Sequence, residues 1–179
     1  LKLIENIIDI SKIESGELKF KYRPVELNKL MEDVQADYLS HQEVVRKDLA
    51  VNVIKDCPHK EVSINTDIYR VKQILNNLTD NAIKFTYKGE IKLGYRLTTL
   101  DNRSAVEFFV EDTGIGMSAQ QQEHIFDLFR KNSSNQTTLY GGTGIRLSIC
   151  RKLTLNLKGQ IDVHSQPGEG SRFSVIIPH

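Results

Sequence analysis

The stretch "QILNNLTDNAIKFT", residues 73–86, decides the fold. Its apolar residues Ile74, Leu75, Leu78, Ala82 and Phe85 recur at helical spacing and define one buried face. Asn77, Asn81 and Lys84 follow one another at steps of four and three, which sets them on a single polar ridge. Upstream, the Asp67 carboxylate can accept from the exposed amides of a first helical turn, so a long helix is predicted from there through Phe85. The ridge admits two readings. Two carboxamides one turn apart can offer oxygens to a hard cation, with Lys84 meeting a phosphate as a point charge. Alternatively, the ridge is a solvated helix face.

Working outward, residues 26–46 read as a helix after Pro24, and "LAVNVI" (49–54) and "EVSIN" (61–65) as short strands. Strands follow at "GEIKLGYRLTT" (89–99) and "SAVEFFVED" (104–112), joined by the hairpin turn "LDN" (100–102). A helix is predicted from Ser118 to about Phe129, then an aperiodic polar segment "RKNSSNQTTLYGG" (130–142), then a helix from Thr143 to about Leu157. "GQIDVHS" (159–165), the turn "QPGEG" (166–170) and a strand "SRFSVIIP" (171–178) follow. Long helices beside a mostly antiparallel sheet make an α/β (α+β) two-layer sandwich. Residues 1–18 spread Leu1, Leu3, Ile4, Ile7, Ile8, Ile10 and Leu18 over about half a helical wheel, opposite Lys2, Glu5, Asp9 and Lys12. That stripe is too broad for one surface; it reads as a bundle helix wanting partners on two sides, with Gly16 marking its end. Opening inside an apolar pattern, it is expected to come from a longer chain.

Composition narrows the functional classes. In 179 residues, 24 Lys and Arg against 23 Asp and Glu leave a net charge of +1, so no polyanion-coating surface or nucleic-acid partner is expected. Any charged ligand must be met locally. Cys57 and Cys150 make neither a metal spacing nor a disulfide framework and are read as inert. No apolar run approaches the ~20 residues needed to span a bilayer.

Two further segments carry chemistry. In "EDTGIGM" (111–117) a strand ends in Asp112, which can accept from an exocyclic amine, while Gly114 and Gly116 allow a flat ring close to the backbone; a plain hairpin turn would look similar. In "LYGGTGIRLSIC" (139–150), Gly141, Gly142, Thr143 and Gly144 bare the backbone before a helix, where converging amides and the helix dipole favour an anion. The glycines read as a phosphate cradle or as a hinge.

An asparagine-bearing helix, a strand ending D-x-G-x-G, the apolar pair in "IFDLFRK" (125–131), a polar lid, G-x-G opening a helix and a late "GEGSRF" (168–173), in this order, resemble the ATP-binding catalytic domain of sensor histidine kinases. That domain belongs to the Bergerat family, shared with type II topoisomerases, mismatch-repair ATPases and a chaperone class. The resemblance covers about residues 20–179 and implies a sandwich of a mixed, mostly antiparallel sheet with helices on one face. It divides the chain into 1–18, similar to the end of the second dimerisation-bundle helix, and 19–179, the ATP-binding domain.

The resemblance implies ATP and Mg²⁺ as cofactors. Asn81 is expected to hold Mg²⁺, Asn77 to support it, and Lys84 to contact phosphate oxygens beside Phe85. Asp112 is expected to bind the adenine amine, with Gly114 and Gly116 under the ring and Ile115 beside it. Phe126 and Phe129 would anchor a lid over 130–142, and Arg130 or Lys131 would steady the terminal phosphates. Gly142, Thr143, Gly144 and the amides of Ile145, Arg146 and Leu147 would cradle the triphosphate, with Ser171 also at the site. Implied partners are a histidine-bearing dimerisation domain and the receiver domain of a response regulator, in a parent that homodimerises. The placement implied is cytoplasmic, with an inner-membrane anchor elsewhere in the parent left open.

Two departures from the family pattern stand out. Arg146 replaces a customary glycine, where it either crowds the phosphates or reaches them; crowding is the favoured reading. His41, His59, His124, His164 and His179 all lack the family's acceptor setting, a His followed by an acid on the first bundle helix, so self-phosphorylation is not expected. Hydrolysing relatives carry a glutamate where this chain has Asn77, and a carboxamide cannot take a proton from water. That favours phosphoryl transfer to a protein histidine, with Asp80 orienting the acceptor although it points off the ridge by about 100°. A nucleotide-sensing module acting by docking and a purely structural dimerisation fragment are the alternatives.

Overall fold

The computed structural model describes residues 2–57, 60–127 and 145–179, with side chains in the first helix from Ile7 onward. The elements run α1 (Lys2–Glu14), β1 (Arg23–Glu26), α2 (Leu27–Leu39), α3 (Gln42–Lys47), β2 (Ala50–Lys55), β3 (Ser63–Thr66), α4 (Ile68–Phe85), β4 (Glu90–Leu100), β5 (Arg103–Asp112), α5 (Ala119–Glu123), α6 (Arg146–Asn156), β6 (Gln160–Gln166) and β7 (Gly170–Pro178). Period-two alternation fixes the orientation of the sheet. Along β4 it turns Ile91, Leu93 and Tyr95 inward, along β5 Val106, Phe108 and Val110, and along β7 Phe173, Val175 and Ile177, all buried. The register aligns these rows, with Leu93 opposite Val110, Val110 opposite Phe173, and Phe173 opposite Val163.

The main sheet has the order β2-β4-β5-β7-β6; β2 runs parallel to β4 and the other neighbours are antiparallel. Helices α2, α4 and α6 cover the inner face, α2 over β2 and β4, α4 over β4 and β5, and α6 over β6 and β7. The outer face carries charge instead. The Arg172 guanidinium lies 3.9 Å above the Phe109 ring and pairs with Glu107 at 2.9 Å and Glu111 at 3.0 Å. The result is the two-layer α/β sandwich expected, with a mixed sheet. Helix α1 packs on α6 and ties to α4 through Asp9, which takes Arg70 at 3.2 Å and Gln73 at 2.6 Å.

Three local readings need correction. The helix expected over 26–46 is two helices: His41 breaks it, its backbone extended and its Nδ1 accepting from the Glu43 amide at 3.3 Å. Strand β1 lies where no element is expected, and its last residue, Glu26, is the expected start of the helix. It pairs antiparallel with β3 and tolerates Pro24 because the two-stranded sheet leaves edges free of ladder bonds. The helix expected from Ser118 closes as α5 at Glu123 after a capping box between Ser118 and Gln121.

Helix α4 begins as its sequence predicts. Asp67, 5% exposed, accepts from the Tyr69 and Arg70 amides at 3.0 and 3.2 Å through Oδ1 and from the Lys21 amide at 2.8 Å through Oδ2. Asp67→Ala orphans three amides at once, so urea unfolding should show a loss of roughly 1–2 kcal/mol with the slope unchanged. A loss below a few tenths of that would mean that water replaces the carboxylate.

Candidate functional site

The alternation that builds β5 also builds the floor of the site. Asp112 is the next inward position after Val110, so a carboxylate enters the core face where the sheet ends, 7% exposed, opposite Ile91 and Ser171. Its Oδ1 accepts from the Gly114 amide at 2.8 Å. Burial pushes the carboxyl up to about 6, against the opposing pull of backbone donors at Gly114 and Ser171. The buried Thr86 hydroxyl also favours the charged form, although it makes no hydrogen bond of ordinary geometry among the described residues. A recessed carboxylate with spare lone pairs is built to accept from a donor such as an aromatic amine.

The segment after Asp112 is clamped between α4 and the β6–β7 turn. Ile115 donates its amide to the Phe85 carbonyl at 3.2 Å, Gly168 donates to the Ile115 carbonyl at 2.7 Å, and Met117 donates to Ser165 Oγ at 2.8 Å. Gln122 locks the same corner by donating to the Met117 and Ser165 carbonyls at 3.2 and 3.0 Å. The glycines are demanded by this packing. A Cβ at Gly114 would stand 2.5 Å from the Phe85 carbonyl oxygen and 2.7 Å from Asp112 Oδ1, and Gly116, at φ +64°, would drive one into the Gln166 backbone. The chain itself, before any ring approaches, excludes side chains here. Ile115 stays 42% exposed beside this floor, and the Ser171 hydroxyl is spent on Ser165 at 2.9 Å.

Asn77, Asn81 and Lys84 share a half-buried face of α4, as the ridge predicts. Asn77 Nδ2 is buried and lies against the Cys150 thiol, where it makes no hydrogen bond of ordinary geometry among the described residues. Burial, and then the nearby Arg146 charge, hold the Lys84 ammonium below its ordinary range. Among the described residues, helix α6 starts on buried Ile145 without the side-chain cap that α2, α3, α4 and α5 each possess. The Arg146 side chain is turned to α4, where its Nη1 donates to Asp80 Oδ2 at 3.3 Å. The pair borders a cleft of about 450 Å³ whose walls include Lys84, Tyr87, His41 and Arg46. Cys150 is fully buried with its thiol pushed up to about 12 by burial, matching its reading as inert.

The fold brings together Asn77, Asn81, Lys84, Phe85, Asp112, Gly114, Ile115 and Gly116 around the C-terminal half of α4, with Ile145, Arg146 and Leu147 opening the neighbouring helix. Phe129, Arg130, Lys131, Gly142, Thr143, Gly144 and the lid expected over 130–142 lie outside the described residues. Phe126 is described and packs edge-on against Phe173, ring centroids 6.2 Å apart. Sequence reasoning missed Tyr38, whose hydroxyl donates to Asp80 at 3.0 Å, and Gln122 and Ser165, which hold the glycine segment. A tyrosine at an apolar position of α2 was the one visible signal, since a buried hydroxyl must find a partner.

The family model of "Histidine kinase-, DNA gyrase B-, and HSP90-like ATPase" matches residues 66–179, from the last residue of β3 to the chain's last residue. The chain belongs to this ATPase family. Its relatives include the sensor histidine kinase RcsC of Escherichia coli (strain K12), 39% identical over 178 residues, which are 99% of this chain and 18% of RcsC. The signal transduction histidine-protein kinase BarA of the same strain is 34% identical over 97% of this chain and 19% of BarA. The chain thus spans less than a fifth of these relatives. Among solved structures, full-length ShkA in complex with AMPPNP superposes with a TM-score of 0.82 at 25% identity, covering 99% of this chain and 35% of ShkA. The catalytic domain of histidine kinase ThkA in a nucleotide-free form gives 0.67 at 26% identity, over 88% of this chain and 95% of that one. Within the ATPase family, the relatives and solved structures to which this chain is similar over nearly its whole length are sensor histidine kinases.

The residues present fit a nucleotide. A recessed acceptor at Asp112, the Asn77 carboxamide on α4 and, among the described residues, a start of α6 without a side-chain cap are polar groups of the kind that an adenine and its phosphates would meet. No group of three or more acidic, His or Cys side chains able to hold a metal alone occurs among the described residues. The neutral carboxamides suit an ion that keeps phosphate oxygens and waters as its remaining ligands. Among the described residues no helix is long and apolar enough to cross a membrane.

Asp112 sets a testable balance between stability and chemistry. Its folded value of about 6 lies above the ordinary 3.8, so its favourable contribution is complete below about pH 3.8 and lost as pH rises through 6. Asp112→Asn keeps an acceptor for the Gly114 amide and removes the buried charge. It should stabilise the chain above pH 6, by an amount on the order of 2–3 kcal/mol at most, and do nothing below pH 4 in thermal unfolding. A gain independent of pH would mean that Asp112 ionises without cost.

Proposed function

We propose that this chain binds Mg·ATP between α4, the Asp112 floor and the start of α6, and donates the γ-phosphoryl group to a histidine on a dimerisation domain, as the catalytic part of a two-component sensor kinase. The observation that carries the reading is the buried, partly satisfied Asp112 carboxylate facing the end of a helix whose ridge offers Asn77, Asn81 and Lys84. The complex of ShkA with AMPPNP supports the ligand class.

Asp112 would accept from the adenine amine, with Ile115 covering the ring edge and Phe85 behind it. Asn81 would hold Mg²⁺ with Asn77 supporting it; the bound ion would neutralise phosphate charge. Lys84 would meet phosphate oxygens, and the Ile145, Arg146 and Leu147 amides would converge on them. The attacking imidazole of the acceptor is itself the nucleophile, so no carboxylate base is needed at position 77; ADP leaves as the new N–P bond forms. Asp80 borders this region from the adjacent face of α4. Residues 1–18 are read as the end of the second bundle helix: α1 fastens to the catalytic layer by Asp9 while Ile7 and Ile8 remain 52% and 45% exposed. The partners in this reading are the histidine-bearing bundle of a homodimeric parent and a response regulator receiver domain. The placement is cytoplasmic.

Calorimetric titration tests the site. Asn81→Ala should lower ATP affinity far more with Mg²⁺ than without it; equal losses would remove the metal role. Asp112 accepts from the amine of adenine and is left facing a carbonyl in guanine, so ATP should be preferred to GTP by about 1–3 kcal/mol, and Asp112→Ala should erase the preference. Adenosine, which has no phosphate titrating in this window, should bind more weakly as pH falls through about 6, because protonated Asp112 loses its charge as an acceptor. Phosphoryl transfer to a supplied acceptor bundle completes the test, and ATP binding without any transfer would leave only a nucleotide-sensing module.

A further inference from the structure

Arg146 stands in the first turn of α6, where the helix dipole makes a cation unwelcome and where the family customarily has glycine. The side chain is turned across to α4, where Nη1 donates to Asp80 Oδ2 at 3.3 Å. Asp80 is itself held: its Oδ1 accepts from the Tyr38 hydroxyl at 3.0 Å, and that hydroxyl also lies 3.1 Å from the Asn76 carbonyl. Tyr38 is 4% exposed, and burial together with the Asp80 charge raises its hydroxyl so far that it remains a donor at any physiological pH. The side chains of Asp80 and Arg146 are 16% and 37% exposed, so the pair is half-shielded from solvent. Three helices, α2, α4 and α6, are joined at the one place where α6 lacks a side-chain cap of its own.

We propose that Arg146 is a positioning residue: its ion pair with Asp80, braced by Tyr38, ties the uncapped first turn of α6 to α4, so that the turn stands formed beside the Asn77–Asn81–Lys84 ridge before a nucleotide arrives. The benefit to ATP rests on the nucleotide-site reading above; the tie itself does not. A bare glycine turn would have to order as the phosphates bind, whereas a pinned turn presents its amides in place. Two other roles predict different signs. An Arg146 that reaches phosphate competes with Asp80 for its guanidinium, so removing Asp80 would strengthen binding. An Arg146 that obstructs phosphate would strengthen binding when truncated.

The experiment compares the native chain, Arg146→Ala, Asp80→Ala, the double variant and Arg146→Lys, using ATP and adenosine by calorimetry and amide exchange at residues 147–150 without nucleotide. Alanine keeps helix propensity, so it tests the side chain rather than the backbone. Each single alanine variant should weaken ATP roughly three- to fivefold, the scale of a part-exposed ion pair, and leave adenosine unchanged. The double variant should be no weaker than either single, Arg146→Lys should keep part of the affinity, and exchange at 147–150 should quicken in all the alanine variants. Tighter ATP binding by Arg146→Ala, opposite signs for the two singles, or additive losses would overturn the proposal. If the native chain binds neither ATP nor adenosine, the nucleotide-site reading fails instead, and the exchange rates alone decide whether the tie exists.

Discussion

Helix α4 lying across the inner face of the sheet is the contact on which the remainder depends. Val71, Ile74, Leu75, Leu78 and Ala82 form its buried side, and each has at most 4% of its surface exposed. Both helix ends are fixed by charge. Asp67 closes the start, while Lys47 reaches from α3 to donate to the Ile83, Lys84 and Thr86 carbonyls at 2.6, 3.3 and 3.0 Å. Because the core sets the rotation of α4 about its axis, the direction in which Asn77, Asn81 and Lys84 look is settled by Leu75 and Leu78. The final carbonyl at Phe85 then holds Ile115, so the floor of the site hangs from the same helix.

The site is also where the structure tolerates unfavourable groups. Asp112 extends an inward-facing apolar row with a carboxylate, Asn77 buries its amide against the Cys150 thiol, and among the described residues α6 opens on a hydrophobic residue where a cap would be stabilising. Charges and helix starts elsewhere are mostly matched, although Thr66 Oγ1 before α4 is also buried without a partner among the described residues. Arg172 on the outer face is matched by Glu107 and Glu111, and four other helix starts have side-chain caps.

Where local physics dominates, the chain was legible. The 73–86 pattern and the β4–β5 hairpin appear as read, the hairpin because Asp101 and Asn102 accept φ of 49° and 61° more readily than most residues. The break at His41 was not legible, because histidine is a poor cap by statistics and acts here only through one ring nitrogen. Strand β1 was not legible either, since four residues containing Pro24 become a strand only when β3 lies alongside.

The sequence by itself determined the period of each element, the alternation that carries Asp112 inward, the polar ridge on α4 and the family to which these motifs belong, because each depends on residues within a turn or a strand of one another. The tertiary structure decided why Gly114 and Gly116 must be glycine, since the atoms that exclude a side chain there belong to Phe85, Asp112 and Gln166. It also decided where Arg146 points. Asp80 is 66 positions away from Arg146 and Tyr38 a further 42 from Asp80, and a flexible cation takes its place from whichever fixed acceptor the fold brings within reach.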